Sequence, residues 1–179
     1  MKYELTEETI QNRDKTLYRI RALKEFGTVK KGDIGGWVEK ESNLSQDGIC
    51  WVYGNAQVYE NAQVYDNARV YDNAQVYGHA RVCGNAWVYG NAWVYGNARV
   101  CGDARISYKP PRAARSDVYD FIICKDKKER LIIIAGCRYF SIKEAYKHWN
   151  KKHERHEETV LILDYLVAQA KRLGWEVEA

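Results

Sequence analysis

The sequence predicts a mainly β protein: a parallel β-helix of about four coils, with an N-terminal β cap and a C-terminal ββαα module. Three observations lead there. Between Val52 and Arg105 a six-residue phrase repeats nine times without a gap, as VYGNAQ, VYENAQ, VYDNAR, VYDNAQ, VYGHAR, VCGNAW, VYGNAW, VYGNAR and VCGDAR. Each phrase opens on an aliphatic residue and has Ala fifth, so alternation along an extended chain sends both inward. The residues before Gly36 and after Ile106 abandon the pattern and read as separate modules. A period of six is one short strand plus one tight turn, and three phrases make a triangular coil of 18 residues that stacks on the next.

Residues 1–36 read as the cap. Tyr3 to Leu5 and Thr16 to Leu23 read as strands around the polar turn ETIQNRDK, with Tyr18, Ile20 and Ala22 on one side of the second. An open strand edge invites pairing with another chain, so each end of a β-helix needs cover. Residues 37–107 form the β-helix. Its first coil is imperfect: Val38 and Leu44 keep the six-residue step with Ser42 at the small position, but two extra residues sit around Asp47-Gly48 before Val52. Val52, Val58, Val64, Val70, Val76, Val82, Val88, Val94, Val100 and Ile106 are the expected core ladders, with Ala56 through Ala104 beside them. The third and fourth positions hold Gly, Asp or Glu and then Asn, His or Asp, the residue types that turn corners. No phrase carries an inserted loop.

After Ile106 the segment SYKPPRAARS holds both prolines and reads as a linker, residues 108–116. Residues 117–179 form the C-terminal module. Val118 to Cys124 and Leu131 to Cys137 read as strands joined by the charged turn KDKKER. Ser141 and Glu144 make a capping box for a helix whose Ile142, Ala145, Tyr146 and Trp149 share a face. A second helix, from about Glu157 to Leu173, is apolar at Val160, Leu163, Leu166, Val167 and Ala170 and should pack on the hairpin.

The first-and-fifth-position rule resembles that of the left-handed hexapeptide-repeat β-helix proteins, and left-handedness is what that resemblance implies. The flanks at Leu17–Gln46 (LYRIRALKEFGTVKKGDIGGWVEKESNLSQ) and Ala135–Trp149 (AGCRYFSIKEAYKHW) resemble segments of such proteins encoded by tailed phages and prophages. Members are labelled polymer-forming or transferase-like. The resemblance implies a phage or prophage accessory factor working in the cytoplasm of a bacterial host.

Composition narrows the class. The chain has 179 residues, 46% of them hydrophobic, and no apolar run long enough to span a bilayer, so no membrane role is expected. The polar start MKYELTEETIQNRDK has no secretory signal, so a cytoplasmic location is expected. Five cysteines, an odd number, fit reduced thiols there; Cys83 and Cys101 would be stacked neighbours, but parallel Cβ vectors suit a disulfide poorly. Cys50, Cys124 and Cys137 read as small buried residues. Residues 109–156 hold thirteen basic against six acidic groups, which argues against an acidic DNA mimic and leaves weak nucleic-acid or nucleotide attraction open.

Stacking residue n on residue n+18 defines three outward ladders. The first runs Trp51, Arg69, Trp87, Arg105 beside Tyr53, Tyr71 and Tyr89, where guanidinium groups alternate with indoles. It reads either as a stacking platform for a partner or as a self-satisfied ladder under a terminal module. The second runs Gln57, Gln75, Trp93 beside Tyr59, Tyr77 and Tyr95. The third runs Gln63, Arg81, Arg99 beside Tyr65, Cys83 and Cys101, and its like-charged pair is an anion-site candidate. Lys125, Lys127, Lys128, Arg130, Lys143, Lys147, Lys151 and Lys152 would make a phosphate-binding patch if the turn and first helix lie side by side. His79 occupies a corner held elsewhere by Asn. Hexapeptide-repeat acyltransferases use a histidine as general base, so His79 is the candidate for catalysis, while His148, His153 and His156 lack a helical metal-pair spacing.

These features point to a non-catalytic interaction protein with no cofactor, binding a host protein or defence complex through its outer ladders and C-terminal module, with a homodimer or homotrimer as a further expectation. The rival classes are a trimeric acyltransferase using acetyl-CoA and a self-assembling structural protein with uncapped ends.

Overall fold

The computed structural model describes residues 1–136, 138–150 and 153–177. A β-hairpin, β1 (Tyr3–Asn12) and β2 (Lys15–Ala22), leads to β3 (Ile34–Val38) and a single 3-10 turn at Glu41–Asn43. Nine two-residue strands follow, one per phrase: β4 (Trp51–Val52), β5 (Gln57–Val58), β6 (Gln63–Val64), β7 (Arg69–Val70), β8 (Gln75–Val76), β9 (Arg81–Val82), β10 (Trp87–Val88), β11 (Trp93–Val94) and β12 (Arg99–Val100). β13 (Ala104–Ile106) closes a β-solenoid of about four turns. Each strand from β4 to β10 pairs in parallel with the one 18 residues on, as in Arg69 with Trp87, Trp87 with Arg105, or Arg81 with Arg99.

The repeat is legible in the packing. The valines from Val52 to Val100, Ile106 and the alanines from Ala56 to Ala104 are at most 1% exposed and share one core with Val38 and Leu44. The corners explain the third position of each phrase, because all nine of its residues have positive φ, including Glu60 (58°), Asp66 (59°) and Asp72 (62°). Those three acids also bind the next coil. The N–H of Gly78, Gly84 and Gly90 donates to the carboxylates of Glu60, Asp66 and Asp72 at 2.7, 3.0 and 2.9 Å. At Gly36 a Cβ would come within 2.6 Å of both the Ala56 carbonyl oxygen and Val52 Cγ1, so only glycine lets the chain cross the start of the core.

The N-terminal strand is longer than the sequence suggests. β1 runs through most of the expected polar turn, and the hairpin reverses only at Arg13-Asp14, because Thr9, Ile10 and Gln11 pair with Tyr18, Leu17 and Thr16 beyond an irregularity between Leu5 and Thr9. Tyr3, Ile20, Ala22 and Val29 plug the first coil. The expected bulge lies at Asp47–Cys50, where the N–H groups of Ile49 and Cys50 both donate to Asp66 O. Lys2, 1% exposed, fills it: its Nζ donates to Asp47 O at 3.2 Å, Cys50 O at 3.0 Å and Cys50 Sγ at 3.2 Å. Burial pushes the Lys2 ammonium down and the Cys50 thiol up.

The C-terminal end is closed by a sheet rather than reached through a bare linker. Strands β14 (Arg112–Ala114), β15 (Asp120–Asp126), β16 (Leu131–Ala135) and β17 (Arg138–Ser141) precede α1 (Ile142–His148) and α2 (His156–Arg172), so the ββαα expectation undercounts the strands by two. β14 falls inside the proline-bearing segment. Its pairing with β15 is fastened by Arg112 Nε and Nη2 donating to the buried Asp120 carboxylate at 2.9 and 3.1 Å. β15 pairs antiparallel with β13, placing Lys125 opposite Arg105 and extending the solenoid's first sheet. Its two faces serve two cores. Ile122, Cys124, Ile132 and Ile134 plug the last coil, while Phe121, Ile123, Ile133 and Ala135 pack with Ala145, Trp149, Leu163, Leu166 and Ala170 of the helical layer. The capping box forms as expected, with Ser141 Oγ accepting from the Glu144 N–H.

One cysteine expectation is corrected. Cys83 and Cys101 form a disulfide with Cα atoms 4.6 Å apart, within the usual range. Parallel Cβ vectors hold only inside a strand, and both residues stand just past a two-residue strand, where the corner begins to turn. Cys50 and Cys124 are free and buried, as expected, and Cys137 lies outside the described residues.

Candidate binding surface

The three outward ladders have the expected register but different fates. On the first, Trp51 is not a platform residue: it is 1% exposed and packs edge-on against Tyr3 and Phe26, at centroid distances of 6.0 and 5.3 Å. The cover comes from the N-terminal module, which the repeat cannot reveal. Arg69 and Arg105 flank Trp87 with their Cζ atoms 5.5 and 4.0 Å from a ring centroid, and all three are half-buried. Arg105 also donates to Asn85 O at 2.9 Å and Ala104 O at 3.2 Å. Tyr71 stacks on Tyr89 and meets Tyr53 edge-on. This ladder is largely satisfied within the chain.

On the second face the stack begins one coil earlier than the sequence suggests, with Trp37 beside Gln57 and Arg19 only 3.9 Å over the Trp37 ring. The hairpin tip folds over it: Asn12 Nδ2 donates to Gln57 Oε1 at 2.6 Å, and Leu17, Trp37 and Tyr59 form a small buried cluster. Tyr59, Tyr77 and Tyr95 stack nearly parallel at 5.1 and 5.4 Å. Trp93, at the far end, is 43% exposed and has Lys109 Nζ 5.9 Å above its ring.

The third face is different. Among the described residues its sheet contains β12, β9 and β6, extended only by the bridge of Leu44 to Val64, whereas terminal strands join both of the others. Gln63 and Arg81 are exposed and Arg99 is half-buried. Among the described residues neither the Arg81 nor the Arg99 side chain has an ion pair or hydrogen bond, while the Arg81 backbone N–H donates within the ladder. Other arginines are committed, Arg112 to Asp120, Arg115 to Asp117 and Arg19 to Glu8, for example. Beside Arg81 lies an open groove of about 610 Å³ bordered by Glu41, Ser42, Ser45, Gln46, Gln63 and Tyr65.

The remaining predicted groups fall into place around this. Lys125 pairs with Glu129 at 2.9 Å, Lys127 with Asp103 of the last coil at 2.9 Å and Arg130 with Asp126 at 2.6 Å, so three of the eight expected basic-patch residues are neutralised within the chain. Lys128, Lys143 and Lys147 are exposed; Lys151 and Lys152 lie outside the described residues. His79 is exposed at its corner, where its N–H donates to Gly96 O at 2.8 Å and its ring meets no partner among the described residues.

Fold and surface together define a β-solenoid with both core ends covered and one outer face left open. Comparison with known proteins agrees on the fold: the YdcK β-solenoid repeat family matches residues 62–78, 74–90 and 80–96. A protein of Escherichia coli (strain K12) named "Uncharacterized acetyltransferase YdcK" is 43% identical over 37 residues. That stretch is 21% of this chain and 11% of the relative, so the likeness covers repeat units and not a whole protein. Among the described residues no helix is long and apolar enough to cross a membrane.

Proposed function

We propose that the chain is a non-catalytic interaction protein, an accessory factor of phage or prophage type, that docks a partner protein on the third face of its solenoid. The observation that carries this reading is the pair Arg81 and Arg99: in register, with side chains that find no partner among the described residues, on a sheet that no terminal strand joins there. Like charges directly adjacent in a sheet cost stability, so an arrangement that keeps them favours a role outside the fold. The original expectation centred on Trp51, Arg69, Trp87 and Arg105 moves to this face, since Trp51 is buried. The covered core ends speak against open-ended polymerisation.

Affinity capture with face-specific variants tests the proposal. Arg81→Glu/Arg99→Glu should lose the captured protein, while Arg69→Glu and Trp93→Ala should retain it. Retention by the Arg81/Arg99 variant and loss by Arg69→Glu would sink the assignment. The acyltransferase alternative draws on the relative's printed name and on His79. It predicts that acetyl-CoA raises the melting temperature and that His79→Ala abolishes acyl transfer.

A further inference from the structure

The geometry points to a more specific partner chemistry: Arg81 and Arg99 form a clamp for carboxylate side chains on an extended acidic segment of the partner protein. This rests on the third face being the docking surface. Arg81 and Arg99 hang from adjacent parallel strands, β9 and β12, and the Gln63 amide stands one strand further along the same row. Guanidinium groups bind carboxylates through two parallel N–H donors, and a row of Gln, Arg and Arg offers donors at every rung.

The backbone under the clamp is rigid. The Cys83–Cys101 disulfide lies two residues past each arginine and ties their coils together, with Cα atoms 4.6 Å apart. Parallel ladders also hold the strands: the Arg81 N–H donates to Ala98 O at 2.8 Å and the Cys83 N–H to Val100 O at 2.9 Å. A site whose frame is already ordered loses less entropy when it binds.

The occupant is a row of carboxylates rather than a phosphate. Glu41 borders the groove next to Arg81, and its charge opposes a dianion more strongly than a monoanion. The groove lies beside Arg81, and the row Gln63, Arg81, Arg99 continues from it across three coils, which suits an extended chain lying across them. Same-side residues of an extended segment recur about every 6.6 Å, and guanidiniums rooted on strands about 4.8 Å apart reach that spacing by splaying, the direction their repulsion favours.

The test uses the purified full-length chain and a fluorescent peptide with Glu at alternate positions, read by anisotropy. Binding should weaken as salt rises, and by about tenfold for each of Arg81→Gln and Arg99→Gln. Arg13→Gln and Arg172→Gln, which remove the same charge from exposed sites elsewhere, should leave it within about twofold. Equal peptide binding by Arg81→Gln/Arg99→Gln overturns the clamp. Inorganic phosphate displacing the peptide at equal concentration overturns the choice of carboxylate. Loss of the inference leaves a distinct signature from loss of the docking reading. Without peptide binding but with partner capture still dependent on Arg81 and Arg99, only the acidic-segment assignment falls; with capture indifferent to both arginines, the docking face falls too.

Discussion

Replacing Trp51 with Ala separates a buried anchor from an exposed platform, because the two roles differ severalfold in stability. Trp51 is 1% exposed, lies under Tyr3 and Phe26 and has Gly35 above it, so close that a Cβ there would meet its ring at 2.7 Å. Truncating a large aromatic in such a core removes its transfer energy and leaves a cavity, about 3 to 5 kcal/mol together. Trp93, 43% exposed, supplies the internal comparison; its truncation should cost about 1 kcal/mol or less. Urea denaturation followed by circular dichroism gives both values. A solenoid can fray from one end, so hydrogen exchange in Lys15–Ala22 is the second readout, and it should quicken in Trp51→Ala alone. Equal losses for the two variants, with the hairpin still protected in Trp51→Ala, would refute the covered-ladder account.

Other expectations follow from single sites. Gly36→Ala should destabilise by about 1 to 3 kcal/mol, since its Cβ meets a carbonyl and a core methyl at 2.6 Å; a melting temperature unchanged within error would contradict the crossing-point argument. Reducing the Cys83–Cys101 bridge, or substituting both with Ser, should lower stability by about 3 kcal/mol on chain-entropy grounds, its loop being 18 residues; equal urea midpoints with and without reductant would count against it. Hydrogen bonding from the Arg115 guanidinium holds the Asp117 carboxyl down to about 2, below its usual 3.8. A depressed acid stabilises above its unfolded value and loses that contribution as pH falls through the folded one, so the Asp117-dependent part of stability should vanish between about pH 4 and 2. Asp117→Asn should flatten that limb of an acid titration, and an unaltered limb would exclude the pairing as its cause.

The sequence made the three ladders legible because their register is arithmetic: a fixed period of six leaves no freedom in which residue stacks on which. What covers each ladder depends on chain outside the repeat. Trp51 is buried by Tyr3 and Phe26, 48 and 25 residues earlier, and no periodicity connects them. The strand Arg112–Ala114 hid for a related reason, since RAA carries no apolar alternation and is held by one ion pair to Asp120. Lys2 was silent because a lysine near a terminus reads as solvated, yet here it serves the carbonyls that the bulge leaves unpaired. The disulfide lay one step from view: the 18-residue spacing brought the two cysteines together, and treating the corner as strand turned their side chains the wrong way. Arg81 and Arg99 were visible as a pair, but that no acidic side chain among the described residues reaches them could be read only from three dimensions.

Hydroxyl-radical footprinting of the complex with a captured partner tests the central claim most directly, because it reads side-chain exposure face by face. Tyr65, beside Gln63 and Arg81 on the third face, should be protected on binding, while Trp87 and Trp93 on the other two faces keep their rates of modification. Protection of Trp87 or Trp93 with Tyr65 unchanged would contradict the account and return the partner to another side of the solenoid.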